Sequence, residues 1–188
     1  ANGAERVGHH NEPIIDIPRF SESDINMKID GVLDEAIWAS IPAHDGMLIT
    51  EPDTMETPPY KSHVRYFYTN SGLYIGGVFE QPAGTLIPRL SGRDFFINRD
   101  EFGLSLDTSG EGLYGYWFTA ALGGSVKDGK IAPERNFSNQ WDGPWQRGTA
   151  VVEGGWSAEM FLPWSMMAMP KIDGPRAVSY THLTLPTK

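Results

Sequence analysis

Residues 154–162, GGWSAEMFL, restrict the fold of this chain more than any other stretch. From Trp156 to Leu162 the side chains alternate with period two, so Trp156, Ala158, Met160 and Leu162 share one face and Ser157, Glu159 and Phe161 the other. A strand with one wholly apolar face must lay that face on a core. Thr149 to Glu153 is β-prone, and Gly154-Gly155 offers the two residues of a tight turn with positive φ, so the segment reads as a β-hairpin. Just upstream, Trp141-Asp142-Gly143-Pro144-Trp145 sets two indoles beside an acid where Gly and Pro break regular structure, which reads as a loop displaying aromatics.

The same punctuation runs through the whole chain. With 21 Gly and 14 Pro in 188 residues, long helices are disfavoured and short strands joined by turns are expected. Ser62–Thr69 and Leu73–Phe79 flank Asn70-Ser71-Gly72 as a second hairpin. Phe102–Asp107, with apolar even positions, is a half-buried strand, and the aromatic-rich Leu113–Ala121 suits a sheet centre. Asp128-Gly129, inside Ser125–Ile131, is the strongest short hairpin signal. Near the N-terminus, Asp30-Gly31 reads as a turn. After it Leu33, Ile37 and Ile41 fall at helical spacing with Asp34 and Glu35 at the favourable end, giving a short helix that stops before Pro42 and plugs a core with Trp38.

These segments amount to at least seven short strands. The expected fold is therefore all-β: a two-sheet antiparallel β-sandwich, jelly-roll-like, with one short N-terminal helix. Residues 1–28 read as an extended arm, 29–177 as the sandwich, and 178–188 as a non-native or disordered tail, because SYTHLTLPTK resembles translated adapter sequence. The start at Ala1 without a signal peptide reads as a processed or truncated start.

A formal charge of -9 with no basic run disfavours nucleic acid as a partner, since phosphate binding needs clustered Lys and Arg. Without cysteine there is neither a disulfide framework nor a thiolate metal site. No apolar run is long enough to span a bilayer as a helix.

In order between Ile29 and Pro170 stand IDGVLDEAIW, VRYFYTNSGLYIGGVFEQP, LSGRD, RDEFGLSLD, QWDGPW and GGWSAEMFLPW. Together they resemble the family 9 carbohydrate-binding modules and relatives that precede an outer-membrane barrel in large bacterial proteins. QWDGPW is the mark of those barrel-associated relatives. The resemblance implies a β-sandwich, structural calcium in some members, sugar held between aromatic rings, and an extracytoplasmic location in periplasm, outer membrane or medium. This sequence departs from the sugar-binding members where a clamp tryptophan precedes the strand near Glu101. Ile97 and Asn98 stand there, and the nearest aromatics are Phe95 and Phe96.

A sugar site needs exposed ring planes for its C–H faces and polar groups for its hydroxyls. Trp141, Asp142, Trp145, Gln146 and Arg147, with Phe95 and Phe96, supply such a set for an oligo- or polysaccharide, the alternative being that the indoles plug the sandwich end. Glu80, Asp94, Asp100 and Asp107 cluster at strand ends and are candidate ligands for structural calcium. Asp142 and Glu159 are the one carboxyl pair to weigh for a glycosidase, with a solvent-facing Glu159 the simpler reading; no triad, P-loop or zinc-protease motif appears. The function expected is a non-catalytic carbohydrate-binding module of a larger envelope or secreted protein. The alternatives are an interaction domain ahead of an outer-membrane barrel, and part of a glycoside hydrolase.

Overall fold

The computed structural model describes residues 15–49, 54–111, 113–169 and 179–182. Among the described residues one short α-helix, α1 (Ala36–Ser40), precedes nine strands: β1 (Ser62–Tyr68), β2 (Gly72–Glu80), β3 (Glu101–Asp107), β4 (Gly115–Ala121), β5 (Val126–Ala132), β6 (Asn136–Ser138), β7 (Gln146–Val152), β8 (Gly155–Pro163) and β9 (Ser179–His182). They form two antiparallel sheets, β1-β2-β8-β7 and β6-β5-β4-β3-β9, so the all-β sandwich is the observed architecture.

The period-two pattern fixes what lies between the sheets. Trp156, Ala158, Met160 and Leu162 of β8 are fully buried, and with Leu73, Ile75 and Phe79 of β2 they meet Phe102, Leu104 and Leu106 of β3 and Tyr116, Phe118 and Ala120 of β4 in one cluster. Each large side chain taken out of water there contributes roughly 1.5–3 kcal/mol. Met166, Met167 and Met169 pack on the same cluster.

A second, smaller cluster lies on the outer face of the four-stranded sheet. Phe67 of β1 is fully buried there beneath Trp38 and Ile41, with Phe20, Ile25, Met27, Leu33, Ile37 and Tyr74 packed around them. Phe20 N–H donates to the Tyr68 carbonyl (2.9 Å), so the described part of the expected arm is bound to the sheet. Within the expected tail, residues 179–182 pair with β3 as an edge strand; 178 and 183–188 lie outside the described residues.

Three local expectations are corrected. The helix spans only Ala36–Ser40 and Leu33 precedes it: Gly31 is pinned on β7 and Leu33 sits over β2, while Asp34 N–H closes a tight turn on the Val32 carbonyl (2.9 Å). Asp128-Gly129 is not a turn but the middle of β5. The turn after β4 lies at residues 122–125, where Gly124 has φ 87 and donates to Ala121 O (2.8 Å). Gly129 is glycine for a steric reason: a Cβ would run into Ser138 O and stand 2.6 Å from Trp117 Nε1. Likewise the last hairpin turns on Glu153-Gly154, while Gly155 pairs with Val152 and needs its bareness to clear Phe79 O.

Candidate functional site

The outer face of the five-stranded sheet carries side chains that core packing does not explain. On β4, Tyr116 and Phe118 point inward, so Trp117 and Thr119 point out. Register sets Trp117 beside Gly129, whose missing side chain leaves room for the indole, and its N–H reaches Ser138 O at 3.3 Å. Phe137 of β6 lies edge-on to Trp117, with ring centres 6.3 Å apart. On the other side stands Phe96, 6.2 Å from Trp117, supplied by the loop before β3. Phe95, Phe96 and Phe137 are 64%, 71% and 56% exposed, an arrangement that leaves ring surface in water on both sides of a mostly covered indole.

The floor of this face is ionic. Glu101 on β3 accepts from Arg99 Nε (3.0 Å) and from Lys127 Nζ on β5, and all three residues are buried. Arg99 also donates to Ser91 Oγ and to Phe95 O (3.1 Å), which fixes the loop carrying the two phenylalanines. Lys127 Nζ lies 4.4 Å from the centre of the Phe96 ring, a cation–π contact that steadies the ring while leaving its far face open. Two positive groups share one carboxylate in this buried floor, which braces the rings from below.

Arg93 ties this loop to the tryptophan loop. It donates through Nε to Asp142 Oδ1 (2.8 Å) and through Nη2 to Asp128 Oδ1. The other oxygen of Asp128 accepts from Gly143 N (2.6 Å) and from Trp145 Nε1 (3.2 Å). Burial holds the Asp128 carboxyl above its usual range, against the lowering effect of Gly143 N–H, Arg93 and the Trp145 indole.

Trp145 is only 8% exposed and packs edge-on to Phe118 with ring centres 5.6 Å apart. This corrects the expectation of a displayed indole: the buried carboxylate of Asp128 supplies its N–H partner, so Trp145 closes the sandwich end. Trp141 is half-buried between the ring of Tyr116, 5.0 Å away, and Lys130 Nζ, 5.8 Å away. Gln146 and Arg147 are exposed on the edge strand β7, where Arg147 donates to Gly124 O (3.4 Å) and borders an open groove of about 350 Å³ with Asp30 and Thr149.

The four acids expected to gather around calcium serve separate local ends. Glu80 accepts from Lys61 N (3.3 Å), buried Asp100 from Gln81 Nε2 (3.2 Å) and Ile87 N (2.6 Å), and Asp107 from Ser109 N (2.8 Å) and Gly110 N (3.0 Å). Only Asp94 joins a carboxylate group: its oxygen and those of Asp128 and Asp142 lie within 4.8 Å of one another. Three such oxygens are the donor type a hard cation takes, but the Arg93 guanidinium already stands among them and supplies the counter-charge. Asp142 and Glu159 do not face a common cleft. Asp142 belongs with the five-stranded sheet through Arg93, and Glu159 is buried on the outer side of the other sheet beneath residues 30–38.

Of the residues that form the aromatic face, sequence reasoning found Phe95 and Phe96 and passed over Trp117, Phe137, Arg99 and Lys127. The available signal was the alternation of GYWFTA, which puts a tryptophan on the face of β4 opposite Tyr116 and Phe118.

No family model and no curated protein matches the sequence. Solved structures match the fold. This chain is a sandwich of the kind seen in carbohydrate-binding modules of family 9. A family 9 module of Caldicellulosiruptor kristjanssonii in complex with cellotriose superimposes with a TM-score of 0.55 at 11% identity, over 88% of this chain and 75% of that one. A candidate carbohydrate-binding protein from Bacteroides uniformis gives a TM-score of 0.58 at 12% identity, over 87% of this chain and 81% of that one.

Proposed function

We propose that this domain is a non-catalytic carbohydrate-binding module of a larger extracytoplasmic protein, and that glycan lies on the outer face of the five-stranded sheet. The observation that carries the reading is the row Phe96, Trp117 and Phe137 above the Arg99–Glu101–Lys127 floor. Exposed ring faces accept the C–H patches of a pyranose, and the buried ion-paired floor holds the loop that carries them in place. The fold's likeness to a module that holds cellotriose supports a sugar as the ligand class. Calcium enters this reading as a competitor of Arg93 at Asp94, Asp128 and Asp142, an ion there displacing the guanidinium.

Isothermal titration with a panel of soluble oligosaccharides tests the assignment. At least one should bind, and Phe96→Ala should weaken it about fivefold or more, the value of one aromatic contact, with the melting temperature kept. Absence of heat from every sugar would favour a second reading, an interaction domain ahead of an outer-membrane barrel. Its supporting observation is that Leu90, Phe95 and Ile97 are also exposed beside Phe96, an apolar patch suited to a protein surface.

A further inference from the structure

Strand β6 (Asn136–Ser138) enters the aromatic face through Phe137 alone. With the turn before it, the strand reads Glu134-Arg135-Asn136-Phe137-Ser138: an asparagine with a hydroxyl residue two places on and an acid two places before. Of the chain's asparagines only Asn136 heads an N-x-S or N-x-T triplet. Such a triplet, without proline in the middle, is the acceptor pattern for N-linked glycan where it stands at the surface.

The structure puts it there. Asn136 and Glu134 are exposed and Ser138 is half-buried. Glu134 holds a φ of 65 in the turn that Pro133 opens, the left-handed region that strains an L-residue. β6 is three residues long, pairs with β5 alone and ends the sheet, so this edge opens locally more easily than a central strand does. Register separates the side chains. Phe137, opposite Ile131, lies on the aromatic face, while Asn136 and Ser138, opposite Ala132 and Lys130, share the other. One enzyme surface can therefore grip carboxamide and hydroxyl together. Ser138 Oγ accepts from Gln140 N at 3.3 Å, and among the described residues no hydrogen bond engages the Asn136 carboxamide.

We propose that Asn136 is an acceptor for N-linked glycosylation, with an oligosaccharide carried on a polyprenyl pyrophosphate as donor. This rests on the extracytoplasmic placement proposed above, where such donors are used, and not on sugar binding by the rings. In the transfer Asn136 Nδ2 bonds to the anomeric carbon of the first sugar. The bond from that carbon to the pyrophosphate oxygen breaks, the amide releases one proton, and the polyprenyl pyrophosphate leaves. An amide nitrogen is a weak nucleophile because its lone pair is shared with the carbonyl, so the transferase must hold the side chain firmly. The flanking groups give it handles: the Ser138 hydroxyl a hydrogen bond, and the Glu134 carboxylate a charge for a basic group of the enzyme. The attached glycan departs from the side of β6 away from Phe137, which leaves the aromatic row uncovered.

The test presents the folded full chain to a purified single-subunit oligosaccharyltransferase, of the kind that reads an acid two places before the asparagine, together with a lipid-linked oligosaccharide. Intact mass and peptide mapping read the product. A gain of one oligosaccharide, mapped to Asn136, is expected. Asn136→Gln should gain none. Ser138→Ala and Glu134→Gln should each slow transfer at least about tenfold, and Ser138→Thr should keep it, a recovery that follows the hydroxyl rather than packing. An unchanged mass in the unaltered protein, or a gain that persists in N136Q, overturns the proposal. So does transfer that occurs only when the chain is presented unfolded, since the folded edge then withholds the residue. A chain that is glycosylated yet binds no soluble sugar defeats the reading of the rings and keeps this one. Recovery of the native chain in the cytoplasmic fraction of its cells would remove the placement instead, a failure that the transfer assay does not produce.

Discussion

The two sheets treat their outer faces in opposite ways. The four-stranded sheet hides its face under the chain's own N-terminal segment, with bare glycines at Gly76 and Gly148 where that segment touches and a buried acid between them. The five-stranded sheet has its outward Glu101, Trp117, Thr119 and Lys127 buried, in part under the loop before β3, but sets Phe96 and Phe137 out into solvent on either side of Trp117. Bare glycines at the outward positions 76 and 148 mark where the crossing segment comes close; the exposed rings of Phe96 and Phe137 mark a surface that the described chain leaves in solvent.

The widest separation between the faces should come from their aromatic residues. Trp38→Ala, which empties the seat over Gly76, is expected to destabilise by about 3–5 kcal/mol, while Phe96→Ala stays within ~0.5 kcal/mol. Equal losses in urea unfolding would erase the distinction between a sealed and an open face. Trp145→Ala sharpens it, because this indole was expected in solvent and lies in the end plug: a loss of about 3 kcal/mol places it with the sealed regions. Gly148→Val forces a side chain against the Asp30-Gly31 backbone and should cost roughly 1–3 kcal/mol. The same change at Gly154, where a Cβ meets nothing within 4 Å, probes only the strain of its φ of 81 and serves as the control. The smallest effect concerns charge. Calcium should raise the melting temperature of Arg93→Ala, which frees Asp94, Asp128 and Asp142, by more than that of the unaltered protein, and equal shifts would mean the guanidinium does not occupy the cation's place.

The core was legible because alternation reports it directly: Trp156, Ala158, Met160 and Leu162 are the buried face read from their spacing. The opposite face of the same strand was not. Glu159 read as solvent-facing, yet it and Ser157 on the same face are buried, because the segment that covers them lies as far as 129 residues away and leaves no periodic trace in β8. Asp128-Gly129 misled for a related reason. The dipeptide favours a tight turn, but here each residue answers a tertiary demand: the glycine admits Trp117 and β6, and the aspartate accepts from Gly143 and Trp145. The candidate site was half-visible, since Phe95 and Phe96 stood out in sequence while their partners Trp117 and Phe137 depend on which way β4 and β6 face.

The burial of Glu159 beneath residues 30–38 also fixes an order of events during synthesis. Asp30, Gly31 and Trp38 leave the ribosome early, and the carboxylate that receives them lies 121 residues beyond Trp38, on the second strand of the last hairpin. Until β7 and β8 exist, neither Gly148 nor Glu159 is there to be crossed, so residues 30–41 are made well before the strands that seat them. Contacts that span so much of the chain close slowly, and Phe67, Leu33 and Trp38 stay uncovered in the interval. A nascent chain halted before residue 155 would present that apolar surface throughout its pause.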